Sequence, residues 1–269
     1  MTTNAPDVDA PNMAPGVPCW IDLATPDLEG ARAFYSGLFG WTPVASPEPE
    51  AGGYTNFLLD GKAVAGAGPV MGEGQPPAWT TYVATDDVGE TANLVEKAGG
   101  RVLMAPMDVM EYGRMAILTD PTGAAFGAWQ AGTHKGAELF NVPGSLTWNE
   151  LATRDPEGAK TFYGEVFGWE AEESATGPDA YITWKLGDRT VGGMIPMFGE
   201  EWPPDLPPHW MVYFAVADTD TTVAKATELG GSVTVAPTDL PVGRFAVLGD
   251  PQGAFFSIIT MAQMEAQPA

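Results

Sequence analysis

Residues 20–25, Trp-Ile-Asp-Leu-Ala-Thr, decide the fold because they recur 128 residues later as Trp-Asn-Glu-Leu-Ala-Thr at 148–153. Later motifs recur at nearly the same offset. They include Phe34-Tyr35, which returns as Phe162-Tyr163, and Asp120-Pro121-Thr122-Gly123, which returns as Asp250-Pro251-Gln252-Gly253. A nearly constant offset across half of a chain is typical of internal duplication. The sequence therefore predicts two tandem copies of one domain.

Two kinds of periodicity alternate within each copy. Residues 19–24 have the pattern of a strand, and the apolar residues that follow are spaced as on one face of a helix. In the first copy these apolar residues are Ala31, Phe34, Tyr35, Leu38 and Phe39. Thr25 with Pro26 is predicted to cap the first helix, Asp155-Pro156 the second, and Gly40 and Gly168 are predicted to end them.

Three strands are expected after this helix, and a second βαβββ unit with a helix near 88–98 completes the copy. The fold class is therefore α+β. We expect a first domain over 18–131, a linker over 132–144, a second domain over 145–260, and loose tails at 1–17 and 261–269. Gly99-Gly100 and Asp120-Pro121 are interpreted as turns only.

The strand, the helix ending in Phe-Tyr-x-x-x-Phe-Gly-Trp and the closing Asp-Pro-x-Gly resemble the vicinal-oxygen-chelate superfamily. That superfamily includes glyoxalase I, bleomycin-resistance proteins and extradiol dioxygenases. The chain looks most like two-domain actinobacterial members described as a 27–30 kDa antigen or as proposed hydroxylases of antibiotic clusters. The resemblance implies tandem glyoxalase domains, each with paired βαβββ units whose curved mixed sheet forms a cup for a small molecule.

Metal-dependent members of this superfamily bind one divalent ion with His, Glu or Gln side chains from four strands. The matching positions here are Trp20, the strand near 64–68, Thr80 and Gly127 in the first copy. In the second copy they are Trp148, the strand near 191–195, Met211 and Ser257. Indole, methylene and glycine groups do not coordinate hard or borderline cations, and a lone hydroxyl is a poor substitute. We therefore expect no metal and no cofactor, since His209 stands alone beside Met211 and His134 falls in the linker.

Strand alternation then predicts which residues line each cup. The ligand-binding residues expected on this face are Trp20, Tyr82, Trp129, Trp148, His209, Met211, Tyr213, Phe255 and Ser257. Glycines 66, 68, 127, 192 and 193 are expected to leave room for the ligand. Such a lining suits a flat aromatic or polycyclic molecule held by stacking. The tryptophans Trp20 and Trp148 could equally be packing residues that fill the space of a lost metal.

Asp22 and Glu150 supply one carboxylate to each cup. A carboxylate on a buried strand face is costly unless it has a partner. Either it forms a structural ion pair with Arg114 or Arg244, or it serves as a candidate catalytic general base. The residues leave both interpretations open.

Composition limits the partners. The net charge of −23 repels nucleic acid and anionic membranes. Its long-range electrostatic field would also guide cationic ligands toward the protein. The chain has neither a signal peptide pattern nor a long apolar run, and it has one cysteine. We expect a soluble, cytoplasmic protein that is a monomer or a weak homodimer.

Two functions remain in competition. The first is metal-independent binding of a small aromatic metabolite or antibiotic, in sequestration, resistance or an accessory role. The second is a lyase, an isomerase or a hydroxylase-like tailoring or detoxification enzyme that uses Asp22 or Glu150 as base. The copies differ at Thr80 against Met211 and at Gly127 against Ser257. A third interpretation is therefore that one domain retains a site and the other only supports it or an interface.

Overall fold

A computed structural model of the chain describes residues 13–72, 74–174, 181–200 and 202–262. It contains two copies of the same order of elements. In the first copy these are β1 Pro18–Thr25, α1 Leu28–Phe39, β2 Thr42–Ala45, β3 Thr55–Leu59, β4 Lys62–Pro69, β5 Ala78–Ala84, α2 Val88–Lys97, β6 Arg101–Val109, β7 Gly113–Thr119 and β8 Ala125–Ala131. In the second they are β9 Leu146–Thr153, α3 Pro156–Phe167, β10 Glu170–Glu173, β11 Ile182–Leu186, β12 Arg189–Pro196, β13 His209–Ala215, α4 Thr219–Glu228, β14 Ser232–Leu240, β15 Gly243–Gly249 and β16 Phe255–Met261.

Each copy forms one eight-stranded sheet. The strand order is β2-β3-β4-β1-β5-β8-β7-β6 in the first copy, and β10-β11-β12-β9-β13-β16-β15-β14 in the second. Both sheets are mixed, because β1 pairs with β4 in parallel whereas β3 pairs with β4 in antiparallel. The predicted α+β class with paired βαβββ units is confirmed. No helix among the described residues is both long and apolar enough to cross a membrane.

The helix ends follow the expected chemistry with one exception. Gly40 and Gly168 end α1 and α3 in the left-handed conformation, with φ of 74° and 71°, as predicted. The Asp155 carboxylate caps α3 by accepting from the Gly158 N–H at 3.0 Å. The cap predicted at Thr25 was wrong, because Asp27 caps α1 and the Thr25 hydroxyl accepts from the Asp27 N–H. The Asp27 carboxylate accepts a hydrogen bond from a free N–H in the first turn of α1, and the Thr25 hydroxyl holds Asp27 in place.

The described chain forms two compact units, and each takes residues from both repeats. The first unit takes the residues up to Ile21, Thr80–Glu138 and Trp148–Val212. The second takes Asp22–Trp79, Leu139–Thr147 and the residues from Tyr213 onward. In the first unit α2 packs against α3, and in the second α1 packs against α4. The cores of the units are therefore shared between the repeats.

A buried tyrosine lies at the centre of each core. In the first unit the Trp210 indole donates to the Tyr163 hydroxyl at 2.9 Å, and that hydroxyl donates to the Asp120 carboxylate at 3.3 Å. The second unit repeats this chain of bonds with Trp79, Tyr35 and Asp250, at 3.0 Å for both bonds. The prediction that Asp120-Pro121 is only a turn was wrong, because Asp120 and Asp250 are almost fully buried acceptors. The interpretation of both Phe-Tyr pairs as core is confirmed.

Burial sets the protonation of these groups. Desolvation, reinforced by the charge of Asp250, raises the pKa of Tyr35 well above its ordinary value, and Asp120 reinforces it in the same way for Tyr163. Desolvation also raises the pKa of Asp250, while the Ala254 N–H and the Tyr35 hydroxyl oppose the shift. Both tyrosines therefore remain protonated donors in the folded protein.

This arrangement predicts alkaline destabilisation. Above about pH 10 the tyrosines of the unfolded chain ionise, whereas Tyr35 and Tyr163 keep their protons in the folded state, so the free energy of unfolding falls as pH rises. We expect Tyr163→Phe to lose about 1–3 kcal/mol at pH 7, because the Trp210 N–H loses its acceptor. The variant should then lose less further stability between pH 7 and 11 than the native chain does. Urea denaturation at both pH values measures this, and equal losses in the two proteins would contradict it.

Candidate functional site

The candidate site lies in the first unit, on one face of the second repeat's sheet. Trp148 and Glu150 lie on β9, His209 and Met211 lie on β13, and all four are partly exposed. The intervening residues Asn149, Leu151, Trp210 and Val212 are buried, as alternation along a strand requires. Because β9 and β13 are neighbours in the sheet, the four predicted residues share the face opposite the helices.

Tyr181, immediately before β11, joins this face. The Trp148 indole Nε1 donates to the Tyr181 hydroxyl at 2.7 Å. A Cβ atom at Gly193 would lie 2.0 Å from that hydroxyl oxygen and 2.8 Å from the indole nitrogen. Gly193 is paired with Glu150 in the parallel ladder of β12 and β9. The indole and the phenol therefore meet over Gly193, at the strand position beside Glu150.

Arg154 fixes the segment that leads into His209. Its guanidinium donates to the carbonyl oxygens of Met197, Pro203 and Leu206, at 3.3, 2.7 and 3.3 Å. The Nδ1 atom of His209 lies 2.8 Å from the Pro207 carbonyl oxygen. The first repeat has Pro26 at the position equivalent to Arg154, so this clamp belongs to the second repeat alone.

The first repeat's aromatic residues in the same unit are packed against a histidine. Trp20, Tyr82 and Trp129 are each less than 7% exposed. The His134 ring lies edge-on to Trp20 and Trp129, with ring centroids 4.5 and 5.6 Å apart, and the Trp129 indole donates to the His134 carbonyl oxygen. Burial lowers the pKa of His134, against a smaller opposing effect of Glu138. His134 was expected to be a linker residue, but it is the packing partner of two predicted site residues.

The first repeat's carboxylate lies in the second unit. The Tyr54 hydroxyl is 3.5 Å from the Asp22 carboxylate, and Asp22 is paired with Gly66 in the ladder of β1 and β4. A Cβ at Gly66 would lie 1.9 Å from the Tyr54 hydroxyl oxygen, and one at Gly68 would lie 3.2 Å from the same ring. The Tyr54 ring thus covers both glycines.

The two arginines considered as partners of the site carboxylates form ion pairs with other residues. Arg114 pairs instead with Asp108, at 2.7 Å from Nε to Oδ1. Arg244 pairs with Asp220 and Asp239, at 2.7 and 2.8 Å. Each arginine therefore has an acidic partner at the partly exposed surface. Asp22 and Glu150 are therefore not held by these arginines.

The remaining predicted residues lie in the second unit. Tyr213 on β13 is partly exposed and is paired with Ser257 on β16. Ser257 is fully buried, and its hydroxyl has no hydrogen-bond partner among the described residues. Phe255 is 52% exposed at the start of β16.

The expected role of the glycines was mostly wrong. A Cβ at Gly127 would lie 2.2 Å from the Tyr82 ring, so the space beside Gly127 holds this ring. Tyr54 and Tyr181 occupy the space beside Gly66 and Gly193 in the same way. Gly192 faces Asn149, Trp184 and Trp210 on the helix side of the sheet. These glycines accommodate the protein's own rings.

The side chains at the family's metal positions do not fit a divalent ion. Trp20, Thr80 and Gly127 in the first repeat, and their counterparts Trp148, Met211 and Ser257, include at most a hydroxyl as an oxygen donor. Phenol rings from neighbouring strands occupy the glycine positions. Throughout residues 13–72, 74–174, 181–200 and 202–262, no three His, Cys, Asp or Glu side chains lie close enough together to hold a metal.

Sequence reasoning missed two residues that shape the site, Tyr54 and Tyr181. Both immediately precede equivalent strands, and they recur at an offset of 127. That recurrence was a usable signal, although only the structure shows the rings over the glycines. No comparable signal marks His134, because the second repeat has no histidine at the equivalent position.

The burial of His134 predicts a pH dependence of stability. Its pKa is lowered on folding, so the unfolded chain binds the proton more readily, and the free energy of unfolding falls as pH drops below about 6.5. We expect His134→Gln to reduce this fall. Urea denaturation of both proteins at pH 7.5 and pH 5 measures it. An identical pH dependence in the variant would show that His134 titrates normally.

Comparison with known proteins agrees with this architecture. The family model of the Glyoxalase/Bleomycin resistance protein/Dioxygenase superfamily matches residues 19–127 and 145–258. CFP32 of Mycobacterium tuberculosis, provisionally named a glyoxylase, is 47% identical over 93% of this chain and 97% of its own length. The anthracycline biosynthesis protein DnrV of Streptomyces peucetius is 43% identical over 93% of this chain and 95% of its own.

A solved structure shows the same fold at low sequence identity. The Mn(II)-bound glyoxalase of Novosphingobium aromaticivorans superposes with a TM-score of 0.63 at 16% identity, and the match covers 91% of this chain and 82% of that one. The family model covers most of the chain, and the curated relatives match over nearly their whole length. The chain belongs to the Glyoxalase/Bleomycin resistance protein/Dioxygenase superfamily.

Proposed function

We propose that the chain binds a flat aromatic or polycyclic small molecule at the second repeat, without a metal ion. The observation that carries this proposal is the partly exposed indole of Trp148, which lies beside the Tyr181 phenol and on the same face as Met211. Aromatic rings and a thioether offer flat, polarizable surface for stacking. Glu150 adds a carboxylate on that face.

Charge favours a cationic ligand. The net charge of −23 raises the local concentration of cations around the whole chain. At the site, an ammonium group could pair with Glu150 while the attached ring stacks on Trp148. Neutral polycyclic molecules would retain only the stacking contribution.

Burial favours the second repeat over the first. Trp20 and Tyr82 are each 4% exposed and packed in the first repeat, whereas their counterparts Trp148 and Tyr213 are partly exposed. The His134 ring also packs edge-on with Trp20, so this indole already contacts a ring of the chain. We therefore expect one bound molecule per chain rather than two.

The curated relatives support a polycyclic ligand. DnrV of Streptomyces peucetius and DauV of a Streptomyces strain are both named for anthracycline biosynthesis, and each is 43% identical to this chain. Anthracyclines are planar polycyclic molecules, which matches the stacking surface described above. An anthracycline-like metabolite or antibiotic is thus the ligand class that we propose.

Binding can be tested with an oxygen-free planar cation, an anthracene that bears a trimethylammonium side chain. We expect one molecule to bind per chain by calorimetry, and Glu150→Gln to weaken binding about tenfold because a charge-assisted contact is lost. Asp22→Asn is the matched control in the first repeat and should leave the affinity unchanged. Equal weakening by both variants, or binding of two molecules, would contradict a site confined to the second repeat.

Metal independence gives a separate prediction. Since the metal positions hold indole, thioether, glycine and hydroxyl groups, we expect the affinity for this probe to be the same with a chelator and with added Mn²⁺ or Zn²⁺. Elemental analysis of the purified protein should find no stoichiometric metal. A tightly bound metal whose removal abolishes probe binding would contradict the proposal.

A tailoring or detoxification enzyme is the second candidate, and the biosynthetic names of the Streptomyces relatives favour it. In that case Glu150 or Asp22 would act as general base on the bound ring. The same variants separate the two functions. A base is identified by a loss of kcat in Glu150→Gln or Asp22→Asn, whereas a binder loses affinity alone.

A further inference from the structure

Methionines are concentrated on the outer strands of the first repeat's sheet. Met104 and Met107 lie on β6, Met110 lies in the hairpin that follows, and Met115 lies on β7. The thioether of methionine is a soft, polarizable group. Soft cations such as Cu(I) select thioether ligands, whereas hard cations prefer carboxylate, carbonyl and water oxygens. This group of side chains therefore suits a different ion from the one that carboxylates hold.

The pairing of β6 with β7 places three of these methionines on one face. Met107 is paired with Met115, and Met104 with Ile117, in the antiparallel ladder. Paired residues share a face, and Met115 and Ile117 share one because they are two residues apart. Met104 and Met107 are three residues apart and would lie on opposite faces of a regular strand, but the register shifts between them. Such an irregularity re-aims the side chains of one strand.

Met104, Met107 and Met115, here named the thioether cluster, lie on the face that is turned away from α2. Ala116 and Leu118, which alternate with Met115 along β7, are fully buried in the core that contains α2. By contrast, Met104 and Met115 are partly exposed, and Met107 is 41% exposed. An ion in solvent therefore has access to the cluster.

The ladder positions allow the three sulfur atoms to share one ion. Directly paired residues have Cβ atoms about 4.5–5.5 Å apart, and diagonal neighbours, about 7–8 Å apart, are still within reach of long side chains. Met107 is the direct partner of Met115, and Met104 is its diagonal neighbour. Each methionine has three rotatable bonds with which to bring its sulfur to a common point.

Charge favours a cation on this face. Arg114 and Asp108 are paired with each other at the ladder positions that alternate with Met115 and Met107, so they lie on the opposite face. Their ion pair, 2.7 Å from Nε to Oδ1, compensates the charge of the arginine. The net charge of −23 attracts cations to the whole chain.

The second repeat has the same irregularity without the sulfur atoms. There Val235 is paired with Val247 and Thr238 with Phe245, and the register again shifts between Val235 and Thr238. The counterparts of the thioether cluster are therefore Val235, Thr238 and Phe245. The backbone geometry is common to both repeats, and the thioethers are particular to the first.

We propose that Met104, Met107 and Met115 bind one soft monovalent cation of the Cu(I) type. All three ligands are neutral, so sulfur coordination alone holds the ion. We therefore expect reversible binding of added ion rather than an ion that is retained through purification. The site shares no residue with the proposed aromatic site of the second repeat and is independent of it.

Ag⁺ is a suitable probe, because it has the charge and the softness of Cu(I) and is stable in air. It is added in chloride-free nitrate buffer to the chain with ¹³C-labelled methionine methyl groups. We expect one equivalent to shift the NMR resonances of all three cluster methyl groups together, and calorimetry to give the dissociation constant. Mg²⁺ and Mn²⁺ should leave these resonances unchanged, since they prefer oxygen ligands.

Replacing each cluster methionine by leucine removes one sulfur, nearly conserves the volume of the side chain, and assigns one resonance. We expect Met104→Leu, Met107→Leu and Met115→Leu each to weaken Ag⁺ binding at least about tenfold, because even residues that only orient a metal ligand are worth about 10–100-fold in affinity. Met71→Leu is the matched control, since it removes an exposed thioether outside the cluster. Cys19→Ala removes the buried thiol. Both controls should bind Ag⁺ as the native chain does.

The proposal is overturned if fewer than three cluster methyl groups shift, or if any of the three leucine variants keeps the native affinity. Loss of binding in Met71→Leu or Cys19→Ala overturns it as well, because the ion would then lie elsewhere. None of these outcomes bears on the proposed function, since the binding of the anthracene probe is measured without silver.

Discussion

The fold depends on a tyrosine hydroxyl buried between an indole N–H and a carboxylate. Tyr35 with Trp79 and Asp250, and Tyr163 with Trp210 and Asp120, are two copies of this arrangement. Burying a hydroxyl, an indole nitrogen or a carboxylate costs free energy unless the group has a hydrogen-bond partner. The three groups are therefore stable in the core only when all of them are present. In each set the carboxylate comes from the other repeat, and an isolated repeat would leave the tyrosine without its acceptor. Duplication and fold are therefore coupled by the same hydrogen bonds.

This coupling separates the two faces of each sheet. The residues that face the helices are constrained by the tyrosine, the carboxylate and the aromatic rings packed around them, and they are nearly identical in the two repeats. Trp41, Phe57 and Trp79 surround Tyr35, and Trp169, Trp184 and Trp210 surround Tyr163. The opposite face carries no such constraint. There the repeats differ, since Trp20 is buried and packs edge-on with His134 in the first repeat, whereas Trp148 of the second repeat is partly exposed.

The sequence predicted the architecture well because periodicity and duplication are local signals that repeat. The helix ends at Gly40 and Gly168 and the buried Phe-Tyr pairs follow from such signals. Asp120 was misjudged because Asp-Pro-x-Gly also satisfies a turn, and the same side chain serves both purposes: it accepts from the Thr122 and Ala124 N–H groups and from Tyr163. His134 was misjudged because nothing in a linker sequence indicates which surface the chain crosses. The glycines of the site were misjudged because a missing Cβ makes space without showing whether a ligand or a neighbouring ring occupies it.

Close packing of the chain accounts for the rings that lie beside these strand glycines. A glycine on a strand leaves a volume that a neighbouring side chain must fill, since protein interiors are close-packed. Tyr54 and Tyr181, which immediately precede the neighbouring strands, fill this volume with their rings. Each places its hydroxyl oxygen beside a strand glycine. We infer that recognition of a ligand depends on the flat rings that remain accessible on this face, and these rings belong to the second repeat.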